Sequence, residues 1–223
     1  MRIAAVFPRL QYLAWIIASI VAVGLGIHVN GYEDNALDIL FTLAIIGSTC
    51  ALVAFVSRRP LFALTFTTAL VTLIFLVSKA KQASMNVVLH AYDIVFYLSS
   101  WSTVSFLIEN YQSHVIGLVL GLTVIIVVSI AAYRIDGARL RRPVSAIAAL
   151  GFAFLALTAA SARGERYDID FFFSDNYVSS FFSSLPEALA VIWRGSLVEA
   201  AAIAPGPNFT MPATCKPVVS PPN

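Results

Sequence analysis

The stretch VIGLVLGLTVIIVVSIAAY at positions 115–133, followed by RIDGARLRR at 134–142 and PVSAIAALGFAFLALTAAS from 143, decides the reading of this chain. Nineteen apolar or small residues are long enough to cross a hydrocarbon core of about 30 Å as a helix. The arginine run that stops them marks a cytoplasmic hinge, because basic residues are retained on that side of a membrane. A second apolar run starts directly after the hinge. Together they predict a helical hairpin that enters and leaves the bilayer, with residues 134–142 on the inside.

Three further runs of this kind precede it, so five spans are expected, at 12–29, 36–56, 61–78, 115–133 and 144–162. The whole composition agrees. Of 223 residues 59% are hydrophobic and only 12% charged, and the mean hydropathy is +0.85, against about 25% charged residues in a typical soluble domain. Arg2 and Arg9 precede the first span in the manner of a signal peptide, but further spans follow at once, so an uncleaved anchor is expected. The expected fold is all-α: a polytopic membrane protein of five transmembrane helices.

Charge sets the expected orientation. With the N-terminus inside, the cytoplasmic segments hold eight basic residues against one acidic, a net +7, and the opposite side six basic against eleven acidic, a net −5. A formal net charge of +2 for the whole chain is too small to attract nucleic acid, so no nucleic-acid partner is expected. The expected location is a bacterial inner or plasma membrane, multipass, with the N-terminus cytoplasmic and the C-terminus periplasmic or extracytoplasmic.

Residues 87–108 are apolar enough for a sixth crossing but contain His90 and Asp93. A crossing there would move the arginine hinge outside, and a central Asp costs about 2.5 to 3.5 kcal/mol on insertion. Residues 79–112 are therefore expected as a re-entrant or interfacial segment on the outer side. Past the fifth span, residues 163–204 carry a cluster of charges and then an apolar stretch broken by Pro186. An amphipathic juxtamembrane helix is expected there, with Phe181, Phe182, Leu185, Leu189 and Trp193 facing the lipid. Residues 205–223 hold six prolines and read as an extended linker.

Ionisable groups beside an apolar phase normally have a task. Lys79, Lys81, His90, Asp93 and Glu109 are accordingly the candidate lipid-headgroup-binding residues. On one helix His90, Asp93, Tyr97 and Ser100 would form a polar stripe, and the lysines would stand at the height of lipid phosphates. The bland alternative is that the lysines snorkel to water and Asp93 faces the interface. No third ligand accompanies His90 and Asp93, so no metal site and no cofactor are expected in this chain. Gly117 and Gly121 have the spacing of a close helix contact. No nucleophile motif or phosphate-binding glycine loop occurs, so no catalytic residue is expected.

Two stretches carry a family resemblance. Leu76-Val-Ser-Lys79 followed by Val88-Leu-His-Ala-Tyr-Asp93-Ile94, and the end Lys216-Pro-Val-Val-Ser-Pro-Pro-Asn223, resemble the N-terminal membrane domain of the lipoteichoic acid synthase-like transferases. That family includes phosphoglycerol transferases with an alkaline phosphatase/sulfatase-type catalytic domain; Val88-Leu89 stands here where Pro-Leu is common. The resemblance implies a membrane-anchoring, lipid-positioning domain. It also implies membrane phospholipid as a partner, and a periplasmic catalytic domain beyond Asn223 as the other. There a divalent metal, Mn or Zn, and a threonine nucleophile would act, so this chain would be a fragment lacking the catalytic part. The alternative from the residues alone is a stand-alone integral membrane scaffold or assembly factor without catalytic activity. A small transporter ranks last, because the spans contain essentially no ionisable residue.

The orientation is tested with Cys50 and Cys215 replaced by serine. Arg139→Cys is expected to react with a membrane-impermeant maleimide only after the membrane is opened, and Lys216→Cys before it is opened; labelling at 139 in intact spheroplasts reverses the topology.

Overall fold

In hydrocarbon no water is present to satisfy backbone N–H and C=O groups, so a chain of this composition must close its hydrogen bonds within helices. The computed structural model describes residues 8–98, 101–163 and 176–194, and these are helical with short connections. The five long helices are α1 (Pro8–Asn30), α2 (Ala36–Ser57), α3 (Pro60–Met85), α6 (Gln112–Ile135) and α7 (Arg142–Arg163). Each is long and apolar enough to cross a membrane. Between them lie α4 (Ala91–Leu98) and α5 (Trp101–Asn110), and after them α8 (Tyr177–Ser183) and α9 (Leu185–Arg194). The architecture is an all-α, multipass membrane fold.

The outward faces are apolar. Ile16, Ile20 and Ile27 of α1, Val119, Leu120 and Ile126 of α6, and Ile147, Leu150 and Phe154 of α7 are all exposed, as expected where lipid is the solvent. The centre is α3, whose buried Thr67, Val71, Ile74, Phe75 and Ser78 recur at helical spacing on one face. It packs against α1, α2, α6 and α8, while α2 packs most extensively against α7. Small residues make that last contact close: a Cβ on Gly47 would lie 2.8 Å from the Phe152 ring, and Ala44, Ala51, Ala156 and Ala159 are buried along the seam. The contact expected from Gly117 and Gly121 is only half made. Gly121 faces Leu73, and nothing approaches Gly117.

In the segment 87–108, α4 and α5, described on either side of residues 99–100, have 8 and 10 residues, and at about 1.5 Å per residue neither by itself is long enough to span a bilayer. α3 continues beyond the span expected at 61–78 to Met85, so Lys79 and Lys81 are helical residues. The expected single amphipathic helix after the fifth span is also corrected. It is two short helices, because Pro186 has no N–H to continue the first and instead sits in the opening turn of α9. Phe181 is buried against the bundle, whereas Leu189 and Trp193 are 56% and 92% exposed. The linker 205–223 and Cys215 lie outside the described residues.

Helix ends sort onto two faces of the bundle. At one, Arg58 takes a left-handed conformation (φ 59°) and donates its N–H to Ala54 O, and Pro60 opens α3. The buried Asp136 ends α6 and reaches across, its Oδ2 accepting the N–H groups of Leu61 at 2.8 Å and Phe62 at 3.2 Å. The carboxylate thus caps α3 from another helix and meets the positive end of its dipole. Arg59 lies 3.6 Å above the Tyr133 ring, and Leu140 N–H donates to Arg58 O at 3.1 Å. The arginine hinge is therefore tied to the α2–α3 turn. At the other face lie the α1–α2 loop, the end of α3, α4, the end of α7 and the α8–α9 pair.

Asp136→Ala removes this cap and leaves two backbone donors without it. The expected loss is about 1–3 kcal/mol, read as a lowered melting temperature in detergent micelles; an unchanged melting curve would show that the carboxylate is dispensable.

Candidate functional site at the loop-rich face

Asn86 ends α3 in a left-handed conformation (φ 55°), its N–H bonded to Gln82 O. The chain then doubles back along the helix it has left. Leu89 N–H donates to Ser78 Oγ at 3.0 Å, and Lys81 Nζ donates to Val88 O at 3.1 Å. This return brings His90 to the residue before α4 and Asp93 into its first turn. Asp93 Oδ2 accepts the His90 N–H at 2.7 Å and pairs with Lys81 Nζ at 2.6 Å, which is one half of a capping box. His90 is therefore not on the helix with Asp93, as the stripe expectation had it, but caps its start.

His90 is fully buried. Its ring stacks on Tyr92 with centroids 5.0 Å apart, and Nδ1 lies 3.1 Å from Val88 O. Burial, chiefly, holds its pKa below the ordinary histidine value, with the Lys81 charge adding to the effect. The neighbouring Ala91 N–H donates to Ser184 Oγ at 2.8 Å, joining this turn to α8 and α9.

Of the five candidate residues, the structure brings Lys81, His90 and Asp93 together. Lys79 faces the other way. It is exposed, with Nζ 5.3 Å above the Tyr32 ring and 3.4 Å from its hydroxyl, on top of a cluster of Tyr32, Phe75 and Tyr177. Glu109 is exposed near the end of α5 and makes none of these contacts. Ser100 lies outside the described residues. Among the described residues no group of three or more His, Cys, Asp or Glu is placed to hold a metal ion.

A second polar seam was not foreseen. α8 sits on the bundle through the buried Glu33, whose Oε2 accepts Ser179 Oγ–H at 2.6 Å and whose Oε1 accepts Thr42 Oγ1–H at 3.0 Å and Ser179 N–H at 3.3 Å. Burial outweighs these donors and raises the Glu33 pKa. Asp34 and Asn176 exchange two hydrogen bonds, at 3.0 and 2.8 Å, and the Tyr177 hydroxyl donates to Gln82 Oε1. Arg163, expected to mark the exit into water, is instead drawn inward. Its Nε lies 2.7 Å from Oδ1 of the buried Asp38, its guanidinium 4.0 Å above the Phe41 ring, and its Nη1 donates to Ser183 Oγ at 3.1 Å. Asp38 lies in the first turn of α2, where a carboxylate suits the helix dipole; that was the one sequence signal available.

Beside this seam lies a cleft of about 550 Å³ lined by α2, α7 and the α8–α9 pair. Its lower walls are apolar, and Arg163, Asp38, Ser183 and Glu187 lie at its polar end. No family model, curated protein or solved structure matches the chain.

The Glu33 shift has a sign that can be measured. A carboxyl whose pKa is raised on folding binds its proton more tightly in the folded state, so the stability it contributes falls as pH rises from the ordinary carboxylate range towards the raised value. His90 acts in the opposite direction, losing stability as pH falls below the ordinary histidine value. Glu33→Gln is therefore expected to flatten the decline in melting temperature that Glu33 causes as pH rises above the ordinary carboxylate range; identical pH profiles for variant and wild type would show Glu33 to be unshifted.

Proposed function

We propose that the chain is the membrane-anchoring and lipid-substrate-positioning module of a phosphoglycerol, or related phospho-group, transferase similar to the lipoteichoic acid synthase-like enzymes. In this reading it sits in a bacterial inner or plasma membrane with its loop-rich face outside. The observation that carries the proposal is the docking of α8. Hydrogen bonds donated by Ser179 to the buried Glu33 carboxylate and by Asn176 to Asp34 tie it to the ends of the spanning helices, and α8 and α9 are thereby held against the bundle.

A catalytic domain tethered there meets its lipid substrate at a high effective concentration, of the order of millimolar for a short tether. Orientation by a rigid platform adds to that, since a well-placed reactant replaces a random encounter. Lys79, exposed above an aromatic cluster, supports phosphate contact. Lys81 and Asp93 neutralise each other and serve to shape the turn that carries His90.

One observation favours the scaffold reading instead: Leu189, Ile192 and Trp193 of α9 are exposed together and suit a protein partner. A single experiment separates the two. Residues 1–223 are joined to the catalytic domain of a phosphoglycerol transferase, and transfer from labelled phosphatidylglycerol in vesicles is compared with the same domain carried on one unrelated helix. The module reading expects faster transfer from the first fusion and a drop towards the second on Lys79→Ala; equal rates from both fusions would remove it in favour of the scaffold.

A further inference from the structure

Six arginines meet at the end of the bundle opposite the loop-rich face. Arg58 and Arg59 form the α2–α3 turn, while Arg134, Arg139, Arg141 and Arg142 belong to the end of α6, the hinge and the start of α7. The Leu140 bond to Arg58 O and the Asp136 bonds to Leu61 and Phe62 hold the two groups on one surface. Asp136 is the only acidic residue in these segments, and it is not available as a counter-ion. It is buried, and besides the two α3 donors its Oδ1 accepts the Ala138 N–H at 3.0 Å. None of residues 1–7 is acidic, and the acidic residues beyond Arg163 follow α7, whose far end lies roughly 30 Å from Arg142 by helix rise. Among the described residues the positive charge of this face is therefore uncompensated.

Retention of a loop on one side of a membrane needs only positive charge. This face has more than that. All six residues are arginine, whose planar fork matches a phosphate with two parallel hydrogen bonds, and one of them heads an amphipathic surface. The Arg59 guanidinium lies 3.6 Å above the Tyr133 ring, and its Nε is buried with no hydrogen-bond partner among the described residues. Tyr133 meets Phe62 edge-on at 5.4 Å, and Phe62 stacks on Phe66 at 5.8 Å. None of these three rings is buried. Phe66 lies a further two turns along α3 from Arg59, about 10 Å by helix rise, so an aromatic strip descends from a cation at the membrane surface into the hydrocarbon. A half-desolvated guanidinium without an anion is unfavourable, and the anion at that height is a lipid phosphate.

We propose that Arg59, with its neighbour Arg58 and with Arg134 next to Tyr133, binds the phosphodiester of one glycerophospholipid whose headgroup carries a net negative charge, an acyl chain lying along Tyr133, Phe62 and Phe66. Arg139, Arg141 and Arg142 add to the field that draws it in. A zwitterionic headgroup brings its ammonium into the same field and is disfavoured. The site lies at the opposite end of the bundle from Lys79 and α8, so it goes beyond the transferase reading and does not rest on it.

The full chain is purified in mild detergent, exchanged with an equimolar mixture of phosphatidylglycerol and phosphatidylethanolamine, and examined by native mass spectrometry. One phosphatidylglycerol per chain is expected to be retained in preference to phosphatidylethanolamine. Arg59→Gln is expected to lower that preference about fivefold, the scale of one basic residue at an anionic surface, and Arg59→Lys, which keeps the charge and loses the fork, to restore only part of it. Arg9→Gln removes the same charge from the start of α1, away from the aromatic strip, and is expected to leave the preference intact. Inorganic phosphate in excess is expected not to displace the lipid. A photoreactive amino acid in place of Phe66 gives a readout that keeps Arg59: it is expected to capture phosphatidylglycerol beyond its share of the mixture. One in place of Ile16, exposed and equally far along α1 from Arg9, is expected to capture the two lipids in proportion. Equal retention of the two lipids, an equal loss from Arg9→Gln and Arg59→Gln, displacement by phosphate alone, or capture at 66 without enrichment would each overturn the proposal.

Discussion

Lipid tails are as apolar as leucine, so the hydrophobic effect that assembles a soluble core does nothing to hold two spanning helices together. What can align such helices is close packing along their length and polar contacts at their ends. This protein uses both, on different pairs. The small-residue seam at Gly47 brings α2 against α7, and the Asp136 carboxylate fastens α6 to the start of α3. At the opposite end, the ion pair of Asp38 and Arg163 closes the α2–α7 seam from above.

The polar groups at the loop-rich face follow the rule that buried charge must be matched. Glu33, Asp38 and Arg163 are each removed from water and each given partners of opposite charge or strong donors. Breaking one member of such a set costs more than the set contributes, because the remaining charge is left buried and alone. A platform of this kind specifies one arrangement of α8 on the bundle more than it adds stability. It also borders a cleft whose lining combines polar and apolar side chains.

The same rule explains which candidate residues changed meaning. Lys81, His90 and Asp93 were singled out because charge near an apolar phase is costly, and the structure does bring them together. The cost is met within the cluster: Asp93 takes up both Lys81 and the His90 N–H and so begins α4. Lys79, two residues away on α3, points towards the opposite side and keeps its charge at the surface. A helical stripe of His90 and Asp93 was a reasonable reading of spacing, but spacing has no information about where a helix starts, and Ser78 and Ser184 decide that by taking the N–H groups of Leu89 and Ala91.

Length and hydropathy by themselves determined the five long apolar helices, and Pro186 marked an interruption after them, though not that two separate helices result. These depend on single-residue properties summed over a window: transfer cost to hydrocarbon, and the missing N–H of proline. Only the tertiary structure decided the Asp38–Arg163 pair, the Glu33–Ser179 dock and the cleft lined by α2, α7 and the α8–α9 pair. Their partners lie more than a hundred residues apart in the chain, and at the end of a span a charge that faces water and a charge that meets its counter-ion occupy the same place in the hydropathy pattern.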